Sequence, residues 1–287
     1  MSAGASTAST ASLDGLRVEL RRLGRVVVAF SGGADSSLLA KVAHDTLGRS
    51  SVLCATAISP SLAGSEEEEC RALAGEWGLR WVGVPTSELQ DPAYVANGAD
   101  RCARCKTALM DALGPLARTE DATVVLGVNV SDLGDHRPGQ AAAAAAGARF
   151  PLVEAGFTKD DIRRWSRALG LRTWDKPAAA CLASRLPYGT PVTLGRLSQV
   201  ETAEAALRAL GFGQLRVRHH GDTARLEVEP ATFFSVVERR DEVVAAVRGA
   251  GFTFVALDLE GFRTGSLNRV LEVAITDSRE AGRRSAP

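Results

Sequence analysis

The sequence predicts an α/β protein, a parallel-sheet domain followed by a small α+β domain, and three observations carry that reading. Short β-branched runs alternate with helical patterns through the first half of the chain. The first run, RVVVAF at Arg25 to Phe30, feeds directly into a glycine loop and then a helix. Between Thr173 and Thr193 the periodicity stops, and a different mixture of helices and strands follows.

Each element has its own signal. Leu38, Leu39, Val42 and Leu47 mark a helix after the glycine loop. Ser51 to Ala57 reads as a second strand, and Ser65 to Trp77 as a helix with Glu66 to Glu69 in its first turn, where the helix dipole favours acidic side chains. Leu79 to Val84 is a third strand ending at Pro85. A polar loop carrying Cys102 and Cys105 follows, then a helix over Lys106 to Ala117 and a fourth strand over Ala122 to Val128. The alanine run Ala141 to Ala146 favours a helical turn, and Lys159 to Leu169 is a helix capped near Thr158. Beyond the aperiodic segment come a helix near Leu197 to Leu210, strands near Gln214 to His219 and Ala224 to Val228, a helix near Thr232 to Arg248, and a strand near Thr253 to Leu257. These elements divide the chain into a tail (1–15), a first domain (16–172), a connecting loop (173–193), a small domain (194–275) and a second tail (276–287).

Composition narrows the function. The chain has 287 residues, 34 basic and 34 acidic side chains, and a pI near 6.9. That balance argues against a protein built to coat nucleic acid or an acidic membrane. No apolar run approaches the length of a membrane span, and the Ala/Ser/Thr-rich start lacks the basic and apolar parts of a secretory signal, so a cytoplasmic protein is expected. The five cysteines, Cys54, Cys70, Cys102, Cys105 and Cys181, are too sparse for a disulfide framework.

The glycine loop reads SGGADSS from Ser31 to Ser37. Gly32 and Gly33 let the backbone approach a ligand, and the following helix N-terminus presents N–H groups and a positive dipole end to an anion. The pattern resembles the signature of the PP-loop ATP pyrophosphatases. That resemblance implies that Ser31, Gly32, Gly33, Asp35, Ser36 and Ser37 surround the phosphates of ATP, with Mg²⁺ offsetting their charge. Ala57, at the end of the second strand, and Gly127 with Asn129, after the fourth, stand where open parallel sheets place nucleotide sites.

Cys102 and Cys105 in DRCARCK have the spacing at which two thiols can hold one metal or cluster iron. A zinc site would need two further ligands, and a chance pair is the alternative. Cys181, in KPAAACLASRLPYGTP, is flanked by Lys176 and Arg185, which would favour its thiolate. Cys54, in a strand, and Cys70, in a helix, read as core residues. Glu227 and Glu229 alternate with Leu226 and Val228 as on a half-exposed strand, and His219 and His220 read as a polar strand end.

Five blocks together resemble the LarE sulfur transferases, a PP-loop family that helps build the nickel-pincer nucleotide cofactor of lactate racemase. They are SGGADSS, DRCARCK, GVNVSDLGDHRPG (Gly127 to Gly139), TWDKPAAACLASRLPYGTP (Thr173 to Pro191) and DLEGFRTGSLN (Asp258 to Asn268). The resemblance spans about Val26 to Leu271 and implies a PP-loop, HUP-like first domain. It also implies adenylation of the carboxylates of a pyridinium biscarboxylate mononucleotide, release of pyrophosphate, and conversion to thiocarboxylates. Members with one cysteine in the ACLASR block sacrifice its sulfur. Members that also carry a CxxC pair hold a 4Fe-4S cluster on three thiolates, and the presence of Cys102, Cys105 and Cys181 favours that mode. Cys181 is the expected catalytic residue in either mode. Asp132, Asp135, Arg137, Ser184, Arg185, Arg216 and Arg218 are candidate substrate residues, and a sulfide donor and a homo-oligomeric state are further implications. A PP-loop tRNA thiolase is the nearest competitor, and the balanced charge speaks against it. A non-catalytic scaffold with bracing cysteines is the competitor from another class.

Overall fold

A computed structural model describes residues 11–133, 138–177 and 180–263. Asp135, Arg137, the end of the DLEGFRTGSLN block and the tail expected at 276–287 lie outside the described residues. In chain order the elements are α1 (Leu13–Leu23), β1 (Val26–Ala29), α2 (Ala34–Leu47), β2 (Val52–Ile58), α3 (Gly64–Glu76), β3 (Trp81–Pro85), α4 (Pro92–Val95), α5 (Arg101–Thr119) and β4 (Thr123–Leu126). They continue with α6 (Pro138–Ala145), α7 (Pro151–Glu154), α8 (Lys159–Ala168), α9 (Leu194–Ala209), β5 (Leu215–His220), β6 (Thr223–Val228), α10 (Phe233–Glu238), α11 (Arg240–Gly249) and β7 (Phe254–Leu257). Two compact units result. The first comprises the chain to Asp91 and Asp100–Ala179, and the second Pro92–Ala99 and the chain from Ala180.

The first unit is built on a four-stranded parallel sheet in the order β3-β2-β1-β4, the α/β architecture expected of a PP-loop domain. Alternate side chains go to opposite faces. Val26, Val28, Val52 and Cys54 join Leu16, Leu20, Leu38, Leu39, Phe157 and Ile162 on one side, while Val27, Leu53, Ala55, Val124 and Leu126 pack with Leu109, Leu113 and Ala117 on the other. Both faces are covered by helices, which is why the strands read as continuous apolar runs rather than alternating ones. Because β2 and β4 flank β1 on opposite sides, the chain reverses its direction across the sheet at the C-terminal ends of β1 and β4. That is where a crevice opens in such sheets.

Helix α1 falls partly in the stretch expected as a tail. Ser12 caps it by accepting from the Gly15 N–H at 3.1 Å, and Leu13, Leu16 and Leu20 form a buried stripe. The stripe at one-turn spacing was present in the sequence, but it is short and follows low-complexity residues.

In the second unit β5 pairs antiparallel with β6, and β6 pairs parallel with β7. Leu215, Val217, Leu226 and Val228 are buried with Leu197, Val200, Ala203 and Leu207 of α9 and Val243 and Val247 of α11. The single helix expected over Thr232 to Arg248 is broken at Arg239, whose φ of −98° and ψ of 26° leave the helical region. The connecting segment is more ordered than its lack of period suggests. A 3-10 turn spans Leu182–Arg185, with Leu182, Ala183, Leu186 and Val192 buried. Asn97, fully buried with a φ of 57°, holds it by donating from Nδ2 to the carbonyls of Pro187 (2.8 Å) and Thr190 (2.9 Å).

If α1 is integral to the first core, Leu16→Ala should cost about 2–5 kcal/mol, whereas Val18→Ala on its exposed side should cost almost nothing. Thermal unfolding of the two variants checks this, and equal melting temperatures would refute the docking of α1.

Candidate active site

The glycine loop joins β1 to the 14-residue helix α2. Gly32 sits at φ 65°, and a Cβ there would lie 3.0 Å from the Cys70 sulfur, so both backbone strain and space demand glycine. Gly33 occupies the N-cap of α2, and no side chain caps it. The first-turn amides therefore keep the capacity that an anion uses. Hydroxyls surround them. Ser36 Oγ accepts from the Ser31 N–H at 3.2 Å, lies 3.1 Å from Ser31 Oγ and donates to the Gly33 carbonyl at 3.2 Å, while the buried Ser37 Oγ has no hydrogen-bond partner among the described residues.

The end of β4 closes against this turn. A Cβ on Gly127 would meet the Ser36 nitrogen at 2.7 Å and the Asp35 carbonyl carbon at 3.0 Å. The structure thus brings Gly127 to the glycine loop, as its place after β4 suggested. Asn129, buried, donates from Nδ2 to Asp35 Oδ1 at 2.9 Å and to Asp132 Oδ2 at 2.8 Å. Asp35 also takes an ion pair from Lys159 Nζ. Ala57 lies near the C-terminal end of β2, next to β1 in the sheet.

Sequence reasoning passed over Lys159, which the Thr158–Asp161 capping box fixes as the first residue of α8. Its signal was the capping pattern, but nothing in the sequence says that α8 begins beside the glycine loop. Lys176, expected to support the Cys181 thiolate, instead donates to Glu66 at 2.8 Å in the first unit. Its ammonium lies 3.8 Å from where a Gly32 Cβ would stand.

The cysteines separate as expected. Cys54 and Cys70 are fully buried, and burial pushes the Cys54 thiol up to about 12. Cys102 and Cys105 are placed differently from the expected loop. They occupy the first turn of α5, one turn apart on the same side, with Cys102 exposed. Gly139, in α6, approaches so closely that a Cβ there would be 3.1 Å from the Cys102 carbonyl. Cys181 is exposed in the second unit as the residue preceding the 3-10 turn. No cysteine is in a disulfide, and among the described residues no three His, Cys, Asp or Glu side chains converge on a metal position.

Around Cys181 the second unit concentrates buried charge. Arg185 donates to the Ala180 and Cys181 carbonyls at 2.5 and 3.2 Å and pairs with both oxygens of Glu204 at 2.8 and 3.1 Å. Glu204 also accepts from Arg208 and from the Val217 N–H. Burial alone would raise the Glu204 carboxyl, but Arg185 and the other donors hold it below the ordinary carboxylate value. Arg218 donates to the Ser184 carbonyl at 2.6 Å and bidentately to Glu227. Glu227, read from the sequence as half-exposed, is fully buried, because Arg218 and Arg225 supply the pairing that a buried carboxylate needs.

Arg216 is different. It is buried, stacks on Phe262 at 4.5 Å and donates to the Arg263 carbonyl, yet no carboxylate pairs with it among the described residues. Burial first, then the Arg218 and Arg185 cations, push its guanidinium below its ordinary value. An anion would relieve that crowding. His219 is not the polar strand end expected: it points to the other face, with Nε2 3.1 Å from Gln199 Oε1. A shallow cleft of about 750 Å³ on that face, lined by Arg196, Gln199, His219 and Asp222, contains none of the expected site residues.

The first unit thus presents a glycine-lined helix N-terminus, and the second an exposed cysteine whose backbone segment is held by paired arginines. No protein-family model matches the chain. It is 40% identical over 256 residues to pyridinium-3,5-bisthiocarboxylic acid mononucleotide synthase of Lactiplantibacillus plantarum, a match covering 89% of this chain and 93% of that one. The chain belongs to the LarE family. An uncharacterised Synechocystis protein is 45% identical over 262 residues, covering 90% and 97% of the two chains. An uncharacterised Methanocaldococcus jannaschii protein is 24% identical over 241 residues, covering 84% and 91%. The LarE similarity therefore extends across both units.

Two variants test this geometry. Gly127→Ala should displace the start of α2, costing about 1–3 kcal/mol, as thermal unfolding would show. Glu204→Gln should cost about 3–5 kcal/mol at neutral pH, since it strands the buried Arg185. A carboxylate held low when folded stabilises the protein above its unfolded pKa of roughly 4.3 and loses that contribution as pH falls through the lower folded value. The gap between wild type and E204Q in denaturant unfolding should accordingly narrow as pH falls below the ordinary carboxylate range. A pH-independent gap would contradict the ion-pair account.

Proposed function

We propose that the chain is an ATP-dependent sulfur transferase that converts the carboxylates of pyridinium-3,5-biscarboxylate mononucleotide to thiocarboxylates, for the nickel-pincer cofactor of lactate racemase. Kinship over nine-tenths of the chain with a synthase of the bisthiocarboxylate carries this reading. The uncapped, glycine-lined start of α2 supports the ATP requirement, and the exposed Cys181 supports the sulfur chemistry.

A carboxylate is a poor electrophile because its leaving group would be an oxide. Attack of a carboxylate oxygen on the α-phosphorus of ATP forms an acyl adenylate and expels pyrophosphate. A sulfur nucleophile then adds to the acyl carbon, and the C–O bond to AMP breaks to leave the thiocarboxylate. Two rounds give the dithiolated product. The first-turn amides of α2, with Ser31, Gly32, Gly33, Ser36 and Ser37, would take the phosphates, and Asp35 would hold the Mg²⁺ that offsets their charge. Ala57, Gly127 and Asn129 line the nucleotide site. Arg216 binds the substrate phosphate, while Ser184, Arg185 and Arg218 fix the segment that presents Cys181. Asp132, Asp135 and Arg137 stand as further substrate residues on the sequence alone.

Three thiols outside disulfides, two of them one helical turn apart, make a donor set suited to a 4Fe-4S cluster. Cys102, Cys105 and Cys181 would hold it, and three protein ligands would leave one iron able to bind sulfide from an external donor. The enzyme is proposed to be cytoplasmic and homo-oligomeric. Among the described residues no helix is long and apolar enough to cross a membrane.

The test is anaerobic purification with iron and sulfide analysis, together with pyrophosphate release in the presence of the pyridinium substrate. Wild type should bind about four irons per chain and turn over repeatedly, and Cys102→Ala should lose the iron and repeated turnover. A colourless wild type that thiolates once per chain, with Cys181 converted to dehydroalanine, would overturn the cluster in favour of sacrificial sulfur. Pyrophosphate release indifferent to the pyridinium substrate would overturn the function.

A further inference from the structure

Two lysines reach the glycine loop of the first unit, and a carboxylate holds each of them. Lys159 Nζ sits on Asp35, inside the loop itself. Lys176 Nζ sits on Glu66, in the first turn of α3, with the Gly32 backbone beside it. Neither ammonium is sealed off: the two lysine side chains are 33% and 18% exposed, and their partners 22% and 27%. The lysine backbones are anchored independently of these pairs. The Lys159 N–H donates to Ser131 Oγ at 3.2 Å at the capped start of α8, and the Lys176 N–H donates to the Thr173 carbonyl at 3.2 Å. Moving either ammonium therefore takes rotamer changes alone.

A carboxylate in an anion cradle poses an electrostatic problem. The uncapped amides of α2 and the serine hydroxyls contribute only partial charges, whereas the triphosphate brings several full negative charges towards Asp35. Charges of like sign at contact distance need a cation between them, and an ammonium released from its carboxylate can move to a phosphate oxygen only if something replaces it.

We propose that Lys159 and Lys176 are the phosphate-binding cations of this site, parked on Asp35 and Glu66 while no nucleotide is bound, and that ATP·Mg²⁺ enters by ion exchange. Each ammonium transfers from carboxylate to phosphate oxygen; Mg²⁺ takes the place of Lys159 on Asp35, and water that of Lys176 on the part-exposed Glu66. No bond beyond ionic and hydrogen-bonded contacts is made or broken. The inference rests on the ATP-dependent reading above and assigns residues to it that neither the glycine motif nor the family blocks single out for this task.

The experiment is calorimetric titration of the full-length chain with ATP·Mg²⁺, inorganic pyrophosphate·Mg²⁺ and AMP, on wild type and on K159Q, K176Q, K159R and K176R. Each Gln variant should bind ATP and pyrophosphate about 10- to 100-fold more weakly, with AMP nearly unchanged because it lacks the outer phosphates. The Arg variants should recover most of the loss. In the absence of nucleotide, Mn²⁺ binding followed by electron paramagnetic resonance should strengthen about tenfold or more in K159Q, because Asp35 is unmasked. A lysine that merely braced the fold would leave that metal affinity unchanged. Gln variants that match wild type for ATP, or that lose AMP and ATP affinity in parallel with no gain in Mn²⁺ binding, would overturn the exchange while leaving the ATP-dependent reading intact. A wild type that binds no ATP·Mg²⁺ would overturn both.

Discussion

The first unit depends on one close approach, that of the end of β4 to the first turn of α2. Gly127 makes it possible, since any Cβ there would overlap the Ser36 backbone. The approach brings the segment after β4 to the loop after β1, and Asn129 ties the two through Asp35 and Asp132. Without it α2 would still be a helix, but its uncapped amides would face no second wall. The parallel register of β1 with β4, Val26 opposite Thr123 through Ala29 opposite Leu126, makes the two loops emerge level. A slip of one residue would offset the two loops and exchange the side chains that pack against the two helical layers, so core packing holds the polar site in place.

The second unit solves a different problem, that of keeping an exposed thiol on a defined backbone. Carbonyl groups around Cys181 are held by arginines, and the arginines are held by buried carboxylates. Each removed partner would leave a full charge in the interior, which makes the arrangement all-or-none. Arg216 alone stands outside that compensation among the described residues, and its strain is what an anionic ligand would relieve.

Much of this was legible in the residues. The β-branched runs marked the strands, SGGADSS marked the turn into α2, and Cys54 and Cys70 could be assigned to the core because one falls within a strand pattern and the other within a helical one. What escaped notice was whatever depends on partners remote along the chain. Glu227 looked half-exposed because alternation reports which face a residue is on, not whether that face is covered. Lys176 looked like a neighbour of Cys181 because it is five residues away in sequence, whereas its ammonium meets Glu66. Cys102 and Cys105 looked loop-borne because polar residues around them mask the start of α5.

The sequence by itself determined the class of fold, the glycine loop, the family and the three thiols that lie outside the core, since these follow from local patterning and from motifs contiguous in the chain. Only the tertiary structure decided which carboxylate each cation meets: Lys159 with Asp35, Lys176 with Glu66, Arg185 with Glu204 and Arg218 with Glu227. The reason is physical. Backbone periodicity is written in neighbouring residues, but an ion pair is a distance between side chains that the packing of apolar faces fixes, and the charged residues themselves carry no record of it.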